Sequence, residues 1–277
     1  MKIILSRKGF DSGHGGQASP ILPDGKLLSL PIPSPHGEKT MYAGLQCNGK
    51  TYFDIIHELN PNTKRTEIGT CHADPDMCRG LFGQHDSSQG HLHKHKVGKG
   101  DIFLFFGWFR QSMIVNKKLT YAEPAKGRHI LFGYLQVGRM YSNTDIVKNN
   151  IPQKIQCHPH RLSHYTGNSN NCIYEASEKL TLDESLPGYG VFTYHESLAL
   201  TKKGEPRSHW ELPDFFNKVN ITYHSNTSFK NGYFQAASRG QEFVIDCNDT
   251  AVKQQVTQWA LDKINNPAAE QRGMLVL

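Results

Sequence analysis

The sequence predicts an α+β protein, built as a mixed, mainly antiparallel sheet with a C-terminal amphipathic helix packed on it. Three stretches carry that prediction. Ile102 to Phe109 is a continuous apolar run opened by Gly98 and Gly100, as expected of a strand buried on both faces. His129 to Arg139 is a second such run, and the polar insert from Asn116 to Arg128 suits an antiparallel pairing of the two. Near the end, Val252, Val256, Trp259 or Ala260, and Ile264 recur at helical spacing behind Asn248 or Asp249, either of which can cap a helix that Pro267 then ends.

The remaining elements follow in chain order. Met1 to Leu5 is a short apolar run that reads as the first strand. Ser19 to Gly25 is a turn, and Leu27 to Ile32 reads as another short strand, with Pro31, Pro33 and Pro35 excluding a helix there. Tyr52 to Leu59 suits a short helix stopped at Asn60-Pro61. His91, His93 and His95 alternate, which on a strand would share one face. A solvated basic strand is preferred there to a zinc site, because Lys94 and Lys96 oppose a cation. Asn171 to Ala176, Tyr189 to Thr193 and Phe243 to Ile245 read as short strands, and Trp210 is assigned to the core.

At 277 residues the chain can bury a sizeable core, and no linker or internal repeat divides it, so one domain spanning 1–277 is expected. Its 31 Lys and Arg against 25 Asp and Glu give +6, a mild preference for polyanions without the like-charge run of a nucleic-acid tail. The N-terminal segment lacks the long apolar core of a signal peptide, and the Ile102 run is too short to span a bilayer. Six cysteines without a C-x-x-C pair suit reduced thiols. A cytoplasmic protein with no membrane partner is the expectation.

The loop from Leu5 to Gly16 is the richest in chemistry. Its four glycines allow backbone N–H groups to approach an anion, while Arg7 can hold phosphate bidentately, Lys8 as a point charge and Ser12 through its hydroxyl. Asp11 is the odd charge out, available for a metal, a ribose hydroxyl or a proton; the alternative is a turn that Asp11 and Ser12 merely cap. Asp74 and Asp76 flank Pro75 beside His72, a pattern for a divalent cation or for paired acid and base roles, against which stands a turn with Asp caps. His158 and His160 flank Pro159 and offer acid or base groups near neutral pH. Arg161 beside them, and Arg239 at a later bend, suit phosphate.

Several of these stretches together resemble a known family. Ser6 to Ser12, Ser19 to Gly25, Asp74-Pro75-Asp76, Gly100 to Gly107 and His158-Pro159-His160 are similar to the third family of nucleotide modification associated domains. The resemblance spans most of the chain and implies an α+β protein of bacteria and phages, associated with enzymes that modify DNA bases. It supplies no reaction. A shorter likeness, Gly98-Lys99-Gly100-Asp101 leading into the apolar strand with Gly133 to Val137 after it, resembles PUA-like small barrels that hold nucleic-acid bases.

Two functions follow. The first is an enzyme of a DNA-base or nucleotide modification pathway, alongside other enzymes of that pathway, with Asp11, Asp74, Asp76, His158 and His160 as catalytic candidates and Arg7, Lys8, Ser12, Arg161 and Arg239 on phosphate. A divalent metal is the one cofactor that its carboxylates suggest, and its identity is left open. The second is a non-catalytic PUA-like module that binds modified bases. The enzyme reading expects Arg7, Asp11, Asp74 and His158 on one cleft.

Overall fold

A computed structural model describes residues 1–64, 68–238 and 240–265 of the chain. Its centre is a ten-stranded sheet whose strands are, in chain order, β1 (Ile3–Arg7), β2 (Ser19–Ile21), β3 (Leu81–His85), β4 (Ile102–Val115), β5 (Lys118–Tyr121), β6 (Arg128–Ser142), β7 (Asn171–Ala176), β8 (Tyr189–Val191), β9 (Asn220–Ile221) and β10 (Glu242–Asp246). The helices are α1 (Tyr52–Leu59), α2 (Asp86–Lys94), α3 (Asn143–Val147), α4 (Ser163–Thr166) and α5 (Thr250–Ile264).

The two long apolar runs become the long strands at the sheet's middle. β4 pairs antiparallel with β6 from Ile102↔Gln136 to Phe109↔Arg128, and parallel with β1, whose Arg7 lies opposite Phe106. The pairing path runs β9-β10-β1-β4-β6-β7-β3, with β2 and β5 added to β4 and β8 to β6. It is open, so the Gly100 turn and its two strands belong to a broad sheet instead of a small barrel. Five consecutive residues of β4, Ile102 to Phe106, are fully buried, which explains why this strand shows no alternation of apolar and polar residues. The insert contributes β5, which folds back on β4 with Leu119 opposite Ile114.

Asp249 caps α5 by accepting from the Ala251 and Val252 amides, and Val252, Val256, Trp259, Ala260 and Ile264 are all buried. Trp259 meets Phe216 edge-on at 5.0 Å. Pro267 lies outside the described residues. Trp210 is fully buried and donates its indole N–H to Nδ1 of His129, so it belongs to the core. A second apolar cluster forms around α1, whose Tyr52, Ile55, Ile56 and Leu59 pack with Tyr42 and Phe10.

Two local expectations are corrected. His91 to His95 lies on α2 and just past it, not on a strand. Gln89 and Leu92, three residues apart, are the buried pair that seats this helix, and one leucine among polar residues is too weak a periodic signal to read. Leu27 to Ile32 forms no named strand. Leu27, Leu28 and Leu30 are buried there, but only an isolated bridge from Leu27 to Ile21 is made, and prolines at 31 and 33 remove the donors a ladder needs. Among the described residues no helix is long and apolar enough to cross a membrane.

The centre of β4 carries the stability. Leu104→Ala should cost about 2–5 kcal/mol in chemical denaturation, whereas Ile114→Ala, at an exposed position of the same strand, should stay within about 0.5 kcal/mol.

Candidate active site

A cleft of about 500 Å³ opens where the end of β1 faces β3. Arg7 reaches it from the end of β1 and Lys8 from just past it, Gly83, Gln84 and His85 from β3, Asp11 and His14 from the glycine-rich loop, His72 and Asp74 from the loop before β3, and His160, His164 and Tyr165 from the segment around α4. Its wall is thus assembled from segments far apart in the chain. A smaller, mostly apolar cavity of about 90 Å³ lies across the 73–76 loop.

Asp74 is the centre of the polar cluster, with its side chain only 3 % exposed. Oδ1 accepts from the Gly83 amide at 2.8 Å and faces Nε2 of His158 at 3.2 Å. His158 is itself buried, and its Nδ1 accepts the His160 amide at 3.3 Å, which leaves Nε2–H to donate to Asp74. Oδ2 turns the other way, 3.8 Å from Nε2 of His72 and 4.0 Å from Nε2 of His160. Burial opposes the carboxylate's charge, but the bond from His158 and the closeness of the His72 and His160 imidazoles outweigh it and hold Asp74 well below the usual carboxylate range.

Each of the two facing histidines is fixed from behind. His160 Nδ1 lies 2.8 Å from Oδ1 of Asn171, whose own amide nitrogen donates to the His160 carbonyl and to Asn143. The His160 proton therefore sits on Nδ1, and Nε2 is a lone pair. The ring stacks against Tyr165 at 4.6 Å and against β3 at Gly83, where a Cβ would come within 2.3 Å of it. His72 Nδ1 points at Tyr165 Oη at 3.0 Å and Glu38 Oε1 at 3.4 Å, while Tyr165 donates to Glu38 at 2.8 Å.

The environment splits the two imidazoles. Burial lowers His160 well below its ordinary value, with Asp74 opposing only in part. Burial also acts to lower His72, but Asp74 and Glu38 on either side overcome it and raise the ring. Glu38 feels the reciprocal effect: despite burial, His72, Ser34 and Tyr165 hold it far below the carboxylate range. His85, five to six ångströms from His160 by ring centroid (5.5 Å), is lowered by burial and by His72 and His164.

The cations of the cleft differ in availability. Lys8 Nζ is bound to Glu242 at 2.8 Å over the Phe82 ring, and Glu242 also accepts from Ser6 and Gln84. Arg7 lies against both the Phe106 and the Phe243 ring, which stack on each other, and donates to the backbone carbonyls of Ala237 and Ser238. No carboxylate lies within ion-pair distance of it among the described residues, so its charge stays uncompensated by direct contact. Asp11 stands at the rim, where Oδ1 accepts the Gly13 and His14 amides. Four predicted residues do not line this cleft. His158, expected on its wall with Arg7, Asp11 and Asp74, is fully buried on the far side of Asp74 Oδ1. Ser12 is exposed; Asp76 caps a turn at the Cys78 and Arg79 amides and pairs with the Arg79 side chain at 2.8 Å; Arg161 reaches the Gln156 carbonyl. Arg239 lies outside the described residues.

The sequence model of nucleotide modification associated domain 3 matches residues 2–246, from the start of β1 to the end of β10. The chain belongs to that family. The match takes in every strand of the ten-stranded sheet and every residue of the polar cluster, and stops before α5. No curated protein and no solved structure matches the chain. In this nucleotide modification associated domain, sequence reasoning missed Glu38, Tyr165, His85 and Asn171, and passed over His72 except as a neighbour of Asp74. Glu38 sits in a proline-rich turn with no pattern around it. Its part depends on a fold that brings it 127 positions along the chain to Tyr165.

The split between the histidines is measurable. In ¹⁵N-resolved imidazole spectra without added metal, His160 should keep a single proton on Nδ1 across about pH 6 to 8, while His72 should take up its second proton above the ordinary 6.5. In linkage terms His72 stabilises the fold below its unfolded value and loses that contribution as pH rises through its folded one; His160 acts oppositely, costing stability as pH falls below 6.5. The reverse order of titration would contradict the assigned hydrogen bonds.

Proposed function

We propose that this protein is an enzyme of a nucleotide or DNA-base modification pathway and that the cleft around Asp74 is its active site. One observation carries the reading: a buried carboxylate faces the Nε2 atoms of two imidazoles, at 3.8 and 4.0 Å, on the floor of a cleft large enough for a nucleoside. Keeping such groups dry is costly, and a module that only held a base would gain nothing from Asp74, His72 and His160 in this arrangement. The family supports a nucleotide-related role without specifying a reaction.

The residues divide into two parts. Asp74, His72 and His160 are the chemical centre, with Glu38, Tyr165, His158 and Asn171 as positioning residues. Arg7, uncompensated by a carboxylate within ion-pair distance, is the group best placed to draw a phosphate toward the rim, and Asp11 stands beside the entry for a sugar hydroxyl or a proton. Lys8 contributes less, since Glu242 already neutralises it. Asp76, Ser12 and Arg161 have no part in this reading.

The alternative, a passive reader of modified bases, predicts a different outcome from the same variant. Nucleosides from the DNA of cells carrying the complete pathway would be measured by mass spectrometry with the wild-type protein, with Asp74→Asn and with Arg7→Ala. Asp74→Asn should cut the modified nucleoside by about 100-fold or more while nucleotide binding stays within about tenfold. Arg7→Ala should weaken nucleotide binding and make what remains less sensitive to salt. Unchanged product with Asp74→Asn would leave the reader as the surviving reading.

A further inference from the structure

The three groups on the floor of the cleft are spaced for something between them. One ligand atom each from His72, Asp74 and His160 lie within 4.8 Å of one another. The 3.8 and 4.0 Å gaps from Asp74 Oδ2 to the two Nε2 atoms are too long for hydrogen bonds. They are a little wider than the roughly 3.0–3.4 Å between ligands that bind one ion at about 2.1 Å, a difference that small side-chain rotations close.

The other polar atom of each group is already spent. Asn171 takes the Nδ1 proton of His160, Tyr165 and Glu38 face Nδ1 of His72, and Gly83 and His158 hold Oδ1 of Asp74. This is how metal ligands are aimed: a partner on one imidazole nitrogen fixes the tautomer and orients the other nitrogen at the ion. His160, 1 % exposed in its side chain, makes no hydrogen bond through Nε2 among the described residues, and that atom faces the cluster. A hydrogen-bonded relay would instead have closed the gaps.

We propose that Nε2 of His72, Nε2 of His160 and Oδ2 of Asp74 bind one divalent transition-metal ion, with its remaining coordination positions open to the cleft. Two imidazoles and one carboxylate suit zinc, iron, cobalt or manganese better than magnesium or calcium, which prefer oxygen. Three protein ligands are the pattern of a site that keeps a position for water or substrate. The inference deepens the reading of this cleft as catalytic, but the binding itself stands on geometry alone. The site differs from the carboxylate set that the sequence suggests, since Asp11 lies at the rim and Asp76 is bound to Arg79.

The test uses the full chain, freed of metal by a chelator and titrated with Co²⁺, followed by calorimetry and by the visible absorption of the bound ion. One Co²⁺ per chain is expected, displaced by Zn²⁺. His72→Gln and Asp74→Asn, both close to the native side chains in volume, should each weaken it by at least about 100-fold; Asn171→Ala, which only frees the His160 ring, should weaken it by about 10- to 100-fold. The control is the other histidine cluster, His91 on α2 and His95 just past it, both half-buried, whose rings lie 4.5 Å apart. The double change His91→Ala, His95→Ala should leave the cleft's ion in place. The proposal is overturned if no Co²⁺ binds, if the His72 and Asp74 variants bind it as well as the wild type while showing the same thermal transition, or if the His91/His95 change abolishes binding. Binding as described with no modified nucleoside under any condition would sink the catalytic reading and leave the metal site standing; modification that persists without any metal bound by this chain would sink the site alone.

Discussion

A charge kept dry is the constraint on which the rest of the site depends. The Asp74 carboxylate is out of water, and a buried carboxylate is tolerable only if nearly every lone pair is answered. Oδ1 is answered by a backbone amide of β3 and by His158, so the 73–76 loop is anchored to the sheet edge by the same atom that carries charge. Oδ2 is answered only at a distance. That asymmetry separates a structural carboxylate from one set to receive a cation, whether a proton shared with His72 or a metal ion.

Answering that charge has required concessions elsewhere. Gly83 must lack a side chain because the His160 ring occupies the space a Cβ would need. Asn171, at the start of β7 and opposite His85 on β3, is buried to hold that ring, and Glu38 is buried to hold His72. A further buried carboxylate, Glu242, ties Lys8, Ser6 and Gln84 to the junction of β1 and β10. The pairing of β1 between β4 and β10 therefore delivers two kinds of group to one cleft: charges already matched, and charges left open.

The sheet was legible because its signals are local. Ile102 to Phe109 and His129 to Arg139 announce themselves as strands by continuous apolarity, and the stripe on α5 by spacing. The α2 helix was not legible, because a single buried leucine beside a buried glutamine gives neither period. For the site, Asp74 and His160 could be picked out beside prolines in polar clusters, while Asp76 looked equivalent to Asp74 and is not. Two residues further on in an extended loop, it meets a turn and Arg79 instead of the cleft. Glu38 and Asn171 carry no signal at all, since what they do is defined by partners brought to them through tertiary packing.

The glycine-rich loop shows the same limit from the other side. Its composition suggests a phosphate cradle made jointly by Arg7 and Lys8, but sequence cannot say which cation has a counter-ion. Glu242, 234 positions away, takes Lys8, and no carboxylate takes Arg7 within ion-pair distance among the described residues. Two rings and two backbone carbonyls hold Arg7 in place without cancelling its charge. A guanidinium fixed in this way has lost most of its conformational freedom before any anion arrives, so less entropy remains to be lost on binding. The same two carbonyls also occupy N–H groups that a bidentate phosphate would use, so Arg7 acts through its field and through whichever donors remain free, and a long-range pull on the anion is the role that suits it.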